Sequence, residues 1–170
     1  MPVSTTGSRA VYEALKACGV TLVPTVPETW LVQVVRLIEE DPTMTMVHLA
    51  KEEEGVGIAA GAYLSGVNAA LIMQNHGLLA CINPIVSLIF LYKIPLLMLI
   101  SYRGDFGERD PWQTQGGLMT EPVLRALNIP YRYLSRAADA QRVVSEARAL
   151  ANAALHPVAV LLSRELLWED

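Results

Sequence analysis

Apolar and polar positions follow one another along this chain in two rhythms, one suited to helices and one to buried strands. Val11, Ala14, Leu15 and Cys18 recur at i, i+3, i+4 and i+7, a helical stripe that Gly19 brings to a stop. The short apolar run 20–23 predicts a first strand. Leu31, Val34, Val35 and Ile38 then predict a second amphipathic helix, with Pro27 near its first turn. Residues 44–49 read as a second strand, and a third helix is predicted to start near Lys51 and reach Leu64. A third strand follows at 69–73 and a fourth helix from Leu78 to Tyr92. The unbroken apolar run 95–100 predicts a strand buried on both faces. A polar, glycine-rich loop is predicted over 101–117, then a shorter helix as far as Leu127 and a weak strand at 131–133. Ala140, Val143, Val144, Ala147, Ala151 and Ala154 mark a last helix, and 158–162 a closing strand.

Six short strands separated by helices, with no internal linker, predict an α/β fold: a doubly wound, mostly parallel six-stranded sheet flanked by helices. Such folds bind ligands at the carboxyl ends of their strands. That singles out the segments 25–30, 51–54, 74–77 and 101–117.

Composition narrows the function classes. The 170 residues make one domain, able to bury a core. Apolar residues reach 52% and charged residues only 18%, which argues against disorder. The apolar surplus has two readings, a large core or a surface covered by a partner. Net charge is −4 and no Lys/Arg cluster stands out, so nucleic acid is not expected as a partner. Cys18 and Cys81 lie in apolar helical patterns without ligand spacing, as expected of reduced thiols in a cytoplasmic protein with no metal ligands of its own. No signal-peptide pattern is present. The greasy stretch 78–100 is interrupted by Asn83, Pro84, Ser87, Lys93 and Pro95, so no membrane span is expected.

Lys51, Glu52, Glu53 and Glu54 precede a helix rich in glycine and alanine. Three carboxylates in a first turn complement the positive end of the helix dipole. The glycines that follow, Gly55, Gly57 and Gly61, are less ordinary, since each interior glycine costs a helix about 1 kcal/mol. The expected return is close approach of another backbone or of a flat ligand.

Here the chain resembles the pyrimidine-binding domain of thiamine-diphosphate enzymes, in which a Glu stands nine residues before the Gly of a Gly-x-Tyr element. Gly61 and Tyr63 supply that element, and nine positions before Gly61 lies Glu52. Met73, Gln74 and Asn75, followed by Gly77 and Leu78, are similar to the Met-Gln-Asn-Ser-Gly-Leu pattern of phosphonopyruvate and sulfopyruvate decarboxylases. The segment from Thr25 through Val26, Pro27 and Glu28 to Thr29 resembles their Gly-Val-Pro-Asp-Ser, and Tyr102, Arg103 and Gly104 their Trp-Arg-Gly. The similarity runs from Tyr12 to Leu162.

The resemblance implies thiamine diphosphate as cofactor and a 2-oxo acid as substrate. It implies that Glu52 hydrogen-bonds the aminopyrimidine and activates it, since a carboxyl in a dry pocket suits proton sharing. Thr25, Pro27, Gln74 and Asn75 are the further cofactor-binding candidates. His76 stands where the quoted decarboxylases carry Ser, and at the place of an active-site His in benzoylformate-type decarboxylases. A catalytic or substrate-binding role and a structural histidine both remain open for it. Thr29 faces substrate by resemblance, or caps a helix. Arg103 suits an anionic group of the substrate, while Asp105, Glu108 and Asp110 offer it and Arg109 partners within the loop. Trp30 either walls the pocket or fills core. Trp112 and residues 113–117 read as a mobile loop over the site or an interface segment.

Family members hold the diphosphate through Mg²⁺ in a second domain, with a Gly-Asp-Gly motif and a downstream Asn. Here Gly104 and Asp105 are followed by Phe106, and no other phosphate-cradling loop is present. The expectation is one pyrimidine-binding domain over 1–170, with Mg²⁺ and diphosphate held mainly by a separate diphosphate-binding beta subunit in a hetero-oligomer. The function expected is alpha subunit of a 2-oxo acid decarboxylase of the sulfopyruvate or phosphonopyruvate type. A non-catalytic partner-binding subunit and an acetohydroxyacid-synthase-like carboligase are the alternatives.

Overall fold

A computed structural model describes residues 3–169. In chain order the elements are α1 (Thr5–Ala17), β1 (Leu22–Thr25), α2 (Val32–Glu39), β2 (Thr45–His48), α3 (Glu52–Leu64) and β3 (Ala70–Gln74). Then come α4 (Asn75–Ala80), α5 (Ile82–Pro84), a π-helical turn (Ile85–Phe90) and β4 (Leu96–Ser101). The chain continues through α6 (Pro111–Ala126), β5 (Tyr131–Leu134), α7 (Ala140–Ala154), β6 (Pro157–Leu162) and α8 (Arg164–Leu167).

The six strands form one sheet, every paired neighbour parallel, in the order β2-β1-β3-β4-β6-β5. Period-two alternation divides their side chains between two faces. Ala70, Ile72, Leu97, Leu99, Val158 and Val160 pack with α1, α2 and α7 through Leu15, Val34, Ile38 and Val144. Leu71, Met73, Met98, Ile100, Ala159 and Leu161 face the other way, against Val56 and Ala60 of α3, Ile85, Ile89 and Leu124 of α6. Both faces of β4 are therefore dry, as its unbroken apolar run predicts.

Three boundaries differ from the sequence-based expectation. β1 runs two residues later and includes Pro24, which has no N–H to donate. Its ladder to β2 is continuous, whereas towards β3 only the Leu22–Ala69 bridge and the Thr25–Ile72 pair remain. The strand order reverses at this gap. The fourth helix starts earlier, at Asn75, and breaks into α4, α5 and the π-turn, where Pro84 removes an i→i−4 donor. Finally, α6 begins at Pro111, a favoured first helical position, so Trp112 and residues 113–117 are helix rather than a mobile loop.

The apolar surplus goes into the core, and part of it stays on the surface. The core is extensive, and Phe106, Trp112, Leu118 and Met119 remain exposed around α6. No helix among the described residues is long and apolar enough to cross a membrane. Both cysteines are free, and burial together with the charges of Glu52 and Glu53 pushes the Cys81 thiol up to about 12.

Candidate active site

The segments singled out by topology converge at the carboxyl end of the sheet. Thr25, the last residue of β1, is buried and its hydroxyl donates to the Val26 carbonyl at 3.2 Å. Gln74 ends β3 half-buried, and Asn75 opens α4 fully buried. The Asn75 amide nitrogen donates to the Arg103 carbonyl at 2.8 Å, while its Oδ1 has no partner. Ser101, at the end of β4, is likewise buried; its hydroxyl makes no hydrogen bond among the described residues, although the Glu28 carboxyl lies near it. Buried polar atoms are ordinarily satisfied, so Asn75 Oδ1, without a partner among the described residues, is left open to a ligand at this edge.

Glu52 is the first residue of α3, where its charge favours the helix N-terminus. The three adjacent acids divide their work. Glu54 accepts the Ala50 N–H at 3.0 Å, capping the helix, and Glu53 lies 3.9 Å from the Lys51 ammonium. No hydrogen bond or ion pair engages Glu52 among the described residues. Its side chain instead lies half-buried against α4: a β-carbon on Gly77 would stand 2.5 Å from Glu52 Cγ and 2.7 Å from Cδ and Oε1. Residue 77 must therefore be glycine for the carboxyl to hold this position. Gly55 makes room for side chains rather than for another backbone or a flat ligand, since a β-carbon there would stand 2.5 Å from Leu71 Cδ1 and 2.8 Å from Leu49 Cδ1. Gly57 and Gly61 face open space in this chain.

His76, second in α4, is half-buried with no hydrogen bond among the described residues, and its ring lies against the middle of α6. Pro27 and Thr29 follow β1 on the surface. Trp30 is core: it packs 5.8 Å from Trp168 and under the Arg103 guanidinium at 4.6 Å.

Arg103 is buried and doubly clasped. Its Nε donates to Glu108 at 3.1 Å and its Nη2 to Asp110 at 2.8 Å, leaving Nη1 outside the clasp. Burial works against the charge of Glu108, but the Arg103 bond and the N–H groups of Asp110 and Gly104 outweigh it and hold the carboxyl down to about 2. Of the three loop acids, Asp105 takes no part. Arg109 is exposed.

Glu28 is an acid whose burial the sequence did not signal. One carboxyl oxygen accepts the Trp30 N–H at 2.9 Å, and the other is sealed from solvent without a hydrogen bond. Burial pushes this carboxyl above its ordinary value of 4.5, and neither the Trp30 N–H, the nearby Ser101 hydroxyl nor the Arg103 charge outweighs it. A folded-state pKa raised in this way gives stability that is complete below the unfolded value and is lost as pH rises through the folded one. Glu28→Gln keeps an acceptor for Trp30 and cannot ionise. Its melting temperature, measured against the wild type, is expected to gain as pH rises above 4.5; a difference independent of pH would show that Glu28 ionises at no cost.

A parallel doubly wound sheet, with a free acid at the head of α3 and orphaned polar atoms around the strand-order reversal, defines a ligand-binding α/β domain. The chain belongs to the thiamine pyrophosphate enzyme family, matching its N-terminal TPP binding domain over residues 5–121. It is 40% identical over 162 residues to the sulfopyruvate decarboxylase subunit alpha of Methanococcus maripaludis, covering 95% of this chain and 96% of that one. A phosphonopyruvate decarboxylase of Streptomyces viridochromogenes is 34% identical over 104 residues, 61% of this chain but 26% of the longer relative. In fold the chain is similar to a 2-oxoglutarate:ferredoxin oxidoreductase of Magnetococcus marinus, with a TM-score of 0.72 at 17% identity, over 99% of this chain and 30% of that one.

Proposed function

We propose that this chain is the alpha subunit of a thiamine-diphosphate-dependent sulfopyruvate decarboxylase, with Glu52 as the acid that activates the aminopyrimidine. The observation that carries the reading is the Glu52 carboxyl: half-buried, unengaged, and held against a glycine that leaves it room. A near full-length match to a subunit of that name supports the substrate class and the need for a second chain.

The residues present fit the cofactor. Glu52 offers an uncommitted carboxyl, Asn75 Oδ1 is a buried acceptor without a donor, and Thr25, Pro27 and Gln74 border the same edge. When bound, thiamine diphosphate supplies the carbanion that attacks a 2-oxo acid. Glu52 would share a proton with a ring nitrogen of the aminopyrimidine. His76 would hold or release a proton at its imidazole, and Thr29 would meet the substrate. Arg103 reaches an anionic substrate group through Nη1, or through the other two nitrogens once Glu108 or Asp110 lets go. The described residues contain no group of three His, Cys, Asp or Glu able to hold a metal. On this reading Mg²⁺ and the diphosphate are held mainly by the partner subunit, since Gly104 and Asp105 are followed by Phe106 where the family's Gly-Asp-Gly motif has a second glycine, and the whole site forms between two chains in a cytoplasmic hetero-oligomer.

The test is decarboxylation of sulfopyruvate by this chain mixed with its beta subunit, followed as carbon dioxide and aldehyde. Acyloin in place of aldehyde would make the enzyme a carboligase, and no turnover would leave a non-catalytic subunit. Within that assay, His76→Ala is expected to lower turnover and leave cofactor affinity nearly intact. Weaker cofactor binding with unchanged turnover in the bound fraction would reverse its assignment.

A further inference from the structure

Gly116 and Gly117 lie side by side in the interior of α6, where glycine is among the poorest helix formers, and both are buried. Their neighbours explain why helix is kept there. A β-carbon on Gly117 would stand 2.4 Å from the Gly104 carbonyl oxygen and 2.6 Å from that of Arg103, so this residue docks α6 backbone to backbone on the loop after β4. The Arg103 carbonyl also accepts from Asn75, which ties the first turn of α4 to the same point.

Gly116 does something different. A β-carbon there would stand 2.4 Å from Cε1 of His76, 2.7 Å from Nε2 and 2.8 Å from Nδ1. The volume of the missing side chain is taken up by an imidazole that has no hydrogen bond among the described residues to orient it. Steric contact is left to set where its two nitrogens stand.

We infer that Gly116 is a positioning residue for His76: α6 offers the imidazole a bare backbone seat, and the seat fixes the geometry of the proton step assigned to that ring. The inference rests on the reading of His76 given above. A histidine ring is the far end of a side chain with two torsions, so an added methyl at 116 displaces the ring rather than the helix. The fold is kept while the nitrogens move, and misplacement on the scale of an ångström is enough to slow a reaction about a hundredfold.

The test is a double-mutant cycle of Gly116→Ala and His76→Ser, assayed as the complex with the beta subunit, together with NMR of the histidine rings in this chain alone. Serine is short enough to leave the seat empty. Gly116→Ala is expected to lower kcat by about ten- to a hundredfold with cofactor affinity unchanged. In the His76→Ser background the same change should have no further effect beyond about twofold, because the two residues act through one contact. The His76 ring resonance, assigned by its loss in His76→Ser, should shift in Gly116→Ala while those of His48 and His156 stay in place. An equal loss in both backgrounds, or an unshifted His76 resonance, would overturn the seat. Wild-type turnover in His76→Ser would instead overturn the catalytic reading of His76, a different failure read from a different variant.

Discussion

Glu52→Gln is expected to cut decarboxylation by about 10²–10⁴-fold, the range for loss of a positioned acid–base group. The replacement is nearly isosteric, so it still fits against Gly77, where the native carboxyl already touches closely. What it removes is the proton that the carboxyl shares and the negative charge at the head of α3. The charge at the helix terminus is worth only about 0.3–1 kcal/mol. Glu53 and Glu54 remain in the same turn, and the capping bond from Glu54 to the Ala50 N–H is untouched. Melting temperature should therefore hardly move while turnover collapses. Steady-state kinetics beside thermal denaturation checks this. A variant that loses stability and activity together would make Glu52 a structural residue.

The largest effect on stability is expected from Arg103→Met. The guanidinium and the Glu108 carboxylate are 9% and 6% exposed, so removing the arginine leaves a buried charge with its main partner gone. Breaking such a pair costs about 3–5 kcal/mol, even where forming it from well-packed apolar groups would have gained little. Asp110 and the face of Trp30 lose their contacts at the same time. Because Glu108 is held at about 2 against an ordinary 4.5, the stabilisation it carries is present above pH 4.5 and disappears as pH falls through 2. The gap between wild type and variant should therefore be full at pH 7 and narrow between pH 4.5 and pH 2, as denaturant unfolding at several pH values would show. Arg103→Lys should not restore it, since one ammonium cannot bridge two carboxylates and lie flat on an indole. A gap that stays constant with pH would mean that the clasp is not electrostatic.

The parallel sheet was legible because its strands are short runs of buried apolar residues set between amphipathic helices. The family's spacing, counted back from Gly61, singles out Glu52 among three acids, and Glu52 has no hydrogen bond or ion pair among the described residues. What escaped the sequence depended on contacts between distant segments. Gly116 and Gly117 read as loop because helix propensity penalises both, and only their docking on His76 and Gly104 offsets that penalty. The apolar run predicts a strand that stops at Val23, yet β1 carries Pro24 at a place where the ladder to β3 is open anyway. The loop acids offered Arg103 three partners. The fold of the segment after β4 selects Glu108 and Asp110, and no spacing rule marks them over Asp105. Glu28 gave no sign of being sealed, since Ser101 and Arg103, which lie near its carboxyl, are distant from it in the chain.

The thiamine-diphosphate site proposed for this chain is completed by a second chain. Titrating thiamine diphosphate and Mg²⁺ into this chain, into its beta subunit and into the mixture, by calorimetry, tests it most directly. Tight binding in the mixture alone is the predicted result. Tight binding to this chain by itself, or no binding in the mixture, would contradict it.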